Sequence, residues 1–222
     1  MICVTKGLYR MLFILCAAAG LRIGEALGLD LKDISPDRLT ITLKQKAWKG
    51  DIQPYLKGGK LQGNGKRRTV NLHSSVAVLL NEYIGTRESG LLFCSRSGNQ
   101  LWQSNILRRH LHPALTELKW EDAESGLTQA GCHALRRFRN TYLENFTRTP
   151  VKVIQVWMGT ARRLGLRMCR SMTALYNRAD LLKKHLQTKA EEAGIGFDLP
   201  SNIVTISEVA PNAPKVETVS AL

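Results

Sequence analysis

The pattern of apolar positions predicts a mainly helical domain. Residues 8–19 are apolar on nearly every side, which is typical of a buried helix, and Gly20 supplies a helix end. Residues 22–29 resume a helical pattern, in which Arg22 and Glu25, three positions apart, share the polar face. Arg22 therefore lies at the break between two helices, where an arginine can project into a cleft. The alternative is a surface arginine at a helix-turn-helix-like corner.

The same periodicity predicts helices over 76–84, 103–118, 151–158 and 172–186. Pro113 is expected to kink the second of these, because proline lacks the backbone N–H that an α-helix needs. From about residue 191 no sustained period is visible, and glycine, proline, valine and acidic residues dominate. We therefore expect a folded domain over 1–185 and a flexible acidic tail over 186–222.

Strands are expected in three short segments, 39–43, 51–55 and 68–72. Together they predict a small three-stranded antiparallel sheet within the mainly α domain. The segment 56–68, LKGGKLQGNGKRR, contains three lysines and two arginines and is too rich in glycine to be a helix. It predicts a long hairpin rather than a nucleotide-binding loop, because it lacks the strand-to-helix context of such loops.

The segment 131–143, GCHALRRFRNTYL, is the one around which the rest of the chain is organised. Leu135, Phe138, Tyr142 and Phe146 recur at helical spacing, so they predict the apolar face of an amphipathic helix.

The polar residues of this helix suggest phosphate chemistry. His133 and Arg136 stand three apart and are expected on one face, which Arg137 and Asn140 continue. Arginine offers a planar fork of donors to phosphate oxygens, and histidine can transfer a proton near neutral pH. A solvated basic helix with a satisfied histidine is the alternative interpretation.

The net charge points to a polyanion. The whole chain carries +14. Residues 186–222 hold two lysines against five acidic residues, a net charge of −3, which leaves +17 for residues 1–185. A body this basic makes nucleic acid the first candidate partner, and the basic hairpin over 56–68 would reach along DNA.

The cysteines and the N-terminal segment argue against a disulfide-rich, zinc-binding or membrane protein. The five cysteines are widely spaced and form no CxxC pair, which argues against a disulfide scaffold or a zinc site and favours a reducing cytoplasm. Residues 11–21 look like a signal-peptide core, but they are too short to span a bilayer and continue directly into the pattern around Arg22. We therefore expect no membrane association.

Three motifs in order resemble the tyrosine recombinase (phage integrase) family over about residues 7–185. GLRIGEALGL resembles the segment with the first catalytic arginine, HALR resembles the His-x-x-Arg box, and TALYNRAD resembles the nucleophile helix. The resemblance implies a tyrosine recombinase catalytic-domain fold and site-specific cleavage and rejoining of DNA strands, as in integration or excision of mobile DNA. It implies no metal, ATP or other cofactor, and a homo-tetramer acting on paired sites in double-stranded DNA.

The resemblance also implies residue roles. Tyr176 would be the nucleophile that forms a 3′-phosphotyrosine link, and a hairpin lysine, Lys60 or nearly as well Lys57, would protonate the leaving oxygen. The implied catalytic residues are Arg22, Lys60, His133, Arg136, Thr160 and Tyr176. The basic residues expected to contact DNA are Lys57, Lys66, Arg67, Arg137, Arg162 and Arg163.

The chain departs from the family pattern in three ways. Thr160 stands after Met-Gly where the family usually has histidine or tryptophan, and the basic segment between that position and Tyr176 is longer than usual. The chain also begins almost at the first arginine motif, so we expect the N-terminal DNA-clamping domain to be absent. These departures keep open a catalytically impaired DNA-binding relic. A helix-turn-helix regulator built around Gly20 and Arg22 is a third reading.

Overall fold

The structure, a computed structural model, describes residues 2, 4–56, 67–118, 131–159 and 179–199. Within these ranges the chain is mainly helical with small antiparallel sheets, which confirms the predicted fold class. The helices are α1 (Gly7–Ala18), α2 (Ile23–Leu27), α3 (Ser74–Ile84), α4 (Gln103–Ile106), α5 (His112–Glu117), α6 (His133–Phe146), α7 (Val151–Met158) and α8 (Ala179–Ala193). The strands are β1 (Thr40–Leu43), β2 (Lys46–Trp48), β3 (Asp51–Gln53) and β4 (Arg68–Asn71).

Helix α1 lies at the centre of the core, as its apolar composition predicted. Every residue from Met11 to Ala18 is buried, and the helix packs against α2, α3 and α6. Gly20 follows it with a φ of +64°, and Gly159 ends α7 with a φ of +59°. Both glycines adopt the left-handed conformation that commonly ends a helix, as the sequence indicated for Gly20.

The strands form two ribbons instead of the one three-stranded sheet that we expected. β1 pairs with β4, Thr40 opposite Asn71, and β2 pairs with β3, Lys46 opposite Gln53. A two-residue turn at Lys49 and Gly50, both with positive φ, joins β2 to β3, which is the usual geometry of a tight hairpin. Strand β2 is only three residues long, too short for its alternation to be recognised in the sequence.

The β2–β3 ribbon packs closely on α2 and is separate from the β1–β4 ribbon. A Cβ atom added to Gly28 would lie 2.8 Å from the backbone of Lys46, and one added to Gly24 would lie 2.9 Å from the carbonyl oxygen of Ala47. Two glycines one helical turn apart thus let the backbone of β2 approach α2 directly. The β2–β3 hairpin is therefore attached to the helix that follows Arg22.

The predicted helix over 103–118 contains a change of winding. The chain is α-helical from Gln103 to Ile106, π-helical from Leu107 to Leu111, and α-helical again from His112 to Glu117. Pro113 has no N–H to offer the carbonyl group four residues earlier, and the wider π turn accommodates this missing hydrogen bond.

The predicted apolar face of α6 was wrong for Phe138 and Phe146, whereas Leu135 packs against the core. Phe138 is exposed and the Phe146 side chain is 75% exposed, whereas Arg136, Arg139 and Leu143 are buried. The aromatic side chains instead stack on one another outside the core, with ring centroids about 6 Å apart. Arg136 and Arg139 point inward because backbone carbonyl groups elsewhere in the chain accept their hydrogen bonds. Such tertiary contacts cannot be recognised from the periodicity of the sequence.

Helix α8 extends past the domain boundary expected at residue 185. It continues to Ala193, and the guanidinium of Arg139 donates a 2.7 Å hydrogen bond to the carbonyl oxygen of Gly194. Phe197 then packs on Phe138. The chain up to residue 199 is therefore built onto α6, while residues 200–222 of the expected tail lie outside the described residues.

The close packing of α2 on β2 gives a stability prediction. Gly28→Ala should lower the free energy of unfolding by about 1–3 kcal/mol, because the added methyl group overlaps the Lys46 backbone. Gly131→Ala is the matched control, since nothing lies within 4 Å of its added Cβ. Urea denaturation of both variants would measure the effect, and equal stabilities would contradict this packing.

Candidate active site

The Glu25 carboxylate is the centre of the site. Its side chain is 2% exposed and accepts hydrogen bonds from the backbone N–H of Arg22 at 2.9 Å and from the Arg22 guanidinium at 2.8 Å. Arg68 binds the same carboxylate with both terminal nitrogens, at 2.7 and 2.8 Å. Burial alone would raise the pKa of Glu25, but hydrogen bonds and charge from Arg68, and then from Arg22, lower it to about 2. Glu25 is therefore ionised at neutral pH.

Arg68 connects this carboxylate to α7. Its Nε donates a 3.0 Å hydrogen bond to the carbonyl oxygen of Trp157, near the end of that helix. One guanidinium thus joins β4, α2 and α7 through three hydrogen bonds, one from each of its nitrogen atoms.

Arg136 is held by backbone carbonyl groups. Its Nη1 donates to the carbonyl oxygen of Gly20 at 2.5 Å, and its Nη2 donates to that of Met158. Burial, followed by the charges of Arg22 and Arg68, lowers the pKa of Arg136 to about 10. Arg136 therefore remains cationic at neutral pH.

The cluster has an excess of positive charge. The guanidinium groups of Arg22 and Arg68 bind the Glu25 carboxylate, and the charge of Arg136 interacts with all three groups without contacting the carboxylate. Arg22 is the most accessible of the three arginines, with 29% of its side chain exposed, so its positive charge is the one that solvent or a ligand can reach. Such a pre-organised set of donors suits an anion with several oxygens, of which a phosphate group is the commonest in biology.

His133 and Arg137 lie on the same helix as Arg136, but their side chains are exposed. His133 is the first residue of α6, one helical turn before Arg136. Arg136 and His133 therefore lie on the same helix, but Arg136 is buried and held by hydrogen bonds, whereas His133 is exposed.

Arg67 does not join the cluster. Arg67 directly precedes β4 and is exposed, whereas the side chain of Arg68, the first residue of the strand, is only 9% exposed. Arg67 instead lines a surface depression of about 350 Å³ together with Lys32 and Lys44. Asp33, which forms an ion pair with Lys44, also lines this depression, so the basic charge there is partly neutralised.

Seven of the expected site residues fall outside the described ranges, so their placement stays a prediction. They are Lys57, Lys60, Lys66, Thr160, Arg162, Arg163 and Tyr176. In the sequence, Thr160 directly follows Gly159 at the end of α7, and Lys66 directly precedes the pair Arg67 and Arg68.

The structure adds two residues to the site, Glu25 and Arg68. The three-residue spacing of Arg22 and Glu25 already placed them on one face. No comparable signal distinguishes Arg68 from Arg67, because both end the same basic segment and only the register of β4 decides which is buried. Among the described residues no group of three or more histidine, cysteine, aspartate or glutamate side chains is arranged to hold a metal ion.

The fold is that of a tyrosine recombinase catalytic domain, and comparisons with known proteins identify the family. The model of the phage integrase family matches residues 4–179. The chain therefore belongs to the phage integrase family. Within the described ranges, no helix combines the length and apolarity that crossing a membrane requires.

Individual relatives agree with this assignment. The putative integrase/recombinase y4rB of Sinorhizobium fredii (strain NBRC 101917 / NGR234) is 32% identical over 108 residues, covering 45% of this chain and 29% of that protein. The Tn1549 transposon integrase in complex with circular intermediate DNA has a similar fold, with a TM-score of 0.54 and 17% identity over 81% of this chain and 59% of that chain. Its complex with transposon right end DNA gives a TM-score of 0.53, also with 17% identity, over 81% of this chain and 58% of that chain. The chain spans less than two thirds of each.

The lowered pKa of Glu25 predicts a pH-dependent contribution to stability. A fall from 4.5 to about 2 corresponds to about 3 kcal/mol, which is present above pH 4.5 and lost as the pH falls towards 2. Glu25→Gln should therefore lower the free energy of unfolding by about 3 kcal/mol at pH 7 and by progressively less below pH 4.5. Urea denaturation across this range is the measurement, with Glu82→Gln, at an exposed position of α3, as the control. A difference independent of pH would contradict the ion pairing.

Proposed function

We propose that this protein is a site-specific DNA recombinase that cleaves and rejoins DNA strands through a 3′-phosphotyrosine intermediate. The observation that carries the proposal is the arrangement of Arg22, Arg68 and Arg136 around Glu25. Buried hydrogen bonds hold these cations in place before any substrate arrives, so their charge is available without reorganisation. Family membership supports the same chemistry.

The proposed reaction is a transfer of one phosphodiester bond. The phenol oxygen of Tyr176 bonds to phosphorus, and the bond from phosphorus to the 5′ oxygen breaks. Lys60, or Lys57, gives a proton to that leaving oxygen, and His133 assists proton transfer from the tyrosine. The 5′-hydroxyl of another strand then reverses the step. The covalent link conserves the phosphodiester bond energy, so ATP is not consumed.

The arginines supply the stabilisation that this reaction needs. Negative charge grows on the non-bridging oxygens as the new bond forms, and Arg22 and Arg136 can bind them more tightly at that stage than before it. Arg68 and Glu25 position Arg22 rather than touch the substrate. A tyrosine has a reference pKa of about 10, so a strongly positive pocket also favours the phenolate that attacks.

Double-stranded DNA is the proposed partner, bound by a homo-tetramer on paired sites. Residues 1–185 carry a net charge of +17, and Arg67 and Arg137 are exposed on the described surface. The Tn1549 integrase, which has a similar fold, is known in complexes with transposon DNA. The remaining residues proposed to contact DNA are Lys57, Lys66, Arg162 and Arg163.

A DNA-binding relic without strand cleavage is the second candidate, and Thr160 is the observation that favours it. A threonine hydroxyl can donate one hydrogen bond to a phosphate but cannot titrate as histidine does. The long segment before Tyr176 points the same way, since a misplacement of about 1 Å can reduce a rate about 100-fold.

Covalent trapping distinguishes the two candidates. The full chain is incubated with nicked duplexes carrying candidate sites, so that the cleaved end diffuses away, and products are separated on a denaturing gel. Wild type should give a protein–DNA adduct that Tyr176→Phe abolishes, while Tyr55→Phe, the same substitution near the β2–β3 hairpin, leaves it intact. Equal adducts from wild type and Tyr176→Phe would contradict the proposed nucleophile. No adduct despite binding in a native gel, and none from Thr160→His, would favour the relic.

The arginine cluster gives a second prediction for the same assay. Arg136→Lys should slow adduct formation by about 100- to 1,000-fold. Lysine lacks the planar guanidinium group, which can donate hydrogen bonds to two carbonyl groups and a phosphate at the same time. Arg148→Lys is the matched control, because Arg148 is an exposed arginine just beyond α6 to which no role is assigned, and this variant should retain the wild-type rate. Thermal unfolding of both variants would separate a catalytic effect from loss of the fold. Equal rates in the two variants would exclude a role for Arg136 in the reaction.

A further inference from the structure

Two adjacent cavities lie beside the β2–β3 hairpin, and none of the residues that line them belongs to the arginine cluster. The first, of about 310 Å³, is lined by Trp48 and Lys49 of the hairpin and by Trp102. The second, of about 260 Å³, is lined by Trp102 again and by Tyr9 and Arg109. Trp102 therefore forms a wall shared by both cavities.

The two tryptophans are unusually open to solvent. The side chains of Trp48 and Trp102 are each 53% exposed, whereas Trp157 is buried in the core. Large aromatic rings left in water beside a cavity often mark a binding site. At this exposure each ring can offer surface to another flat, apolar group.

The surroundings of these rings are basic. The ammonium group of Lys46 lies 5.8 Å from the ring centre of Trp48, and Lys49 and Arg109 are exposed at the two cavities. No acidic side chain is present among the described residues that line either cavity. The chemistry therefore favours a ligand with aromatic faces and negative charge.

Gln100 supplies a polar group to the same place. It lines both cavities, and its buried Oε1 has no hydrogen-bond partner among the described residues. An acceptor buried without a donor is unfavourable, and an incoming N–H would satisfy it. On the far side, the rings of Tyr9 and His110 stack with centroids 3.4 Å apart, which gives the second cavity a rigid aromatic wall.

We propose that these cavities bind successive unstacked bases of a single DNA strand. Bases would stack on Trp48 and Trp102, a base N–H, such as the ring N3–H of thymine, would donate to Gln100, and the phosphates would lie near Lys46, Lys49 and Arg109. An intact duplex keeps its base faces covered by stacking, so the site recognises unpaired or distorted DNA. The inference rests on the proposed function in taking DNA as the ligand, but it requires no strand cleavage.

Equilibrium binding of the full chain to labelled oligothymidylate of about 10 nucleotides tests the site, with a duplex of equal length for comparison. Trp48→Ala and Trp102→Ala should each weaken single-strand binding by about 5- to 150-fold while duplex binding stays at the wild-type value. Trp102→Phe, which keeps an aromatic face, should recover most of the loss.

Phe146→Ala is the matched control, because it also removes an exposed aromatic ring and should leave both affinities unchanged. Single-strand affinities equal to wild type in Trp48→Ala and Trp102→Ala would overturn the proposal. So would equal losses for single strand and duplex, which would indicate a general DNA contact. Repeating the series in Tyr176→Phe separates the two proposals, because the tryptophan effects should persist there even if strand cleavage fails.

Discussion

The pairing of the Glu25 carboxylate with two guanidinium groups holds together segments that are far apart in sequence. Arg22 comes from the break between α1 and α2, and Arg68 comes from β4 and reaches on to the end of α7. One buried anion thus aligns the elements that carry the candidate site. Without it, the guanidinium groups of Arg22 and Arg68 would repel each other in a region that water does not fully solvate.

Arg136 is stabilised differently, and this difference keeps the site positive. Its acceptors are carbonyl groups just beyond α1 and at the last residue of α7. The carbonyl groups at a helix end lack intrahelical partners and carry the negative end of the helix dipole. They stabilise a buried cation without cancelling its formal charge, which a second carboxylate would do. The site therefore combines rigidity with a surplus of charge.

Local features of the chain were predictable from sequence, and those set by tertiary contacts were not. The apolar α1, its end at Gly20 and the position of Arg22 follow from nearest neighbours along the chain. The inward face of α6 does not, because Arg136 and Arg139 are drawn in by carbonyl groups distant in sequence. For the same reason the motifs indicated Arg22 and Arg136 but gave no means of choosing Arg68 over Arg67.

Helix α8 is anchored to the body of the protein: Gln187 hydrogen-bonds to Asn71 and Leu72, and Glu191 to Ser74. The sequence segment 160–178 is therefore attached at its two ends to fixed elements, α7 and α8. The entropy of closing a chain segment between two fixed points grows only with the logarithm of its length, about 0.6 kcal/mol for each doubling. Added residues before Tyr176 would therefore cost little free energy of folding, and the proposed reaction constrains the length of this segment more than stability does.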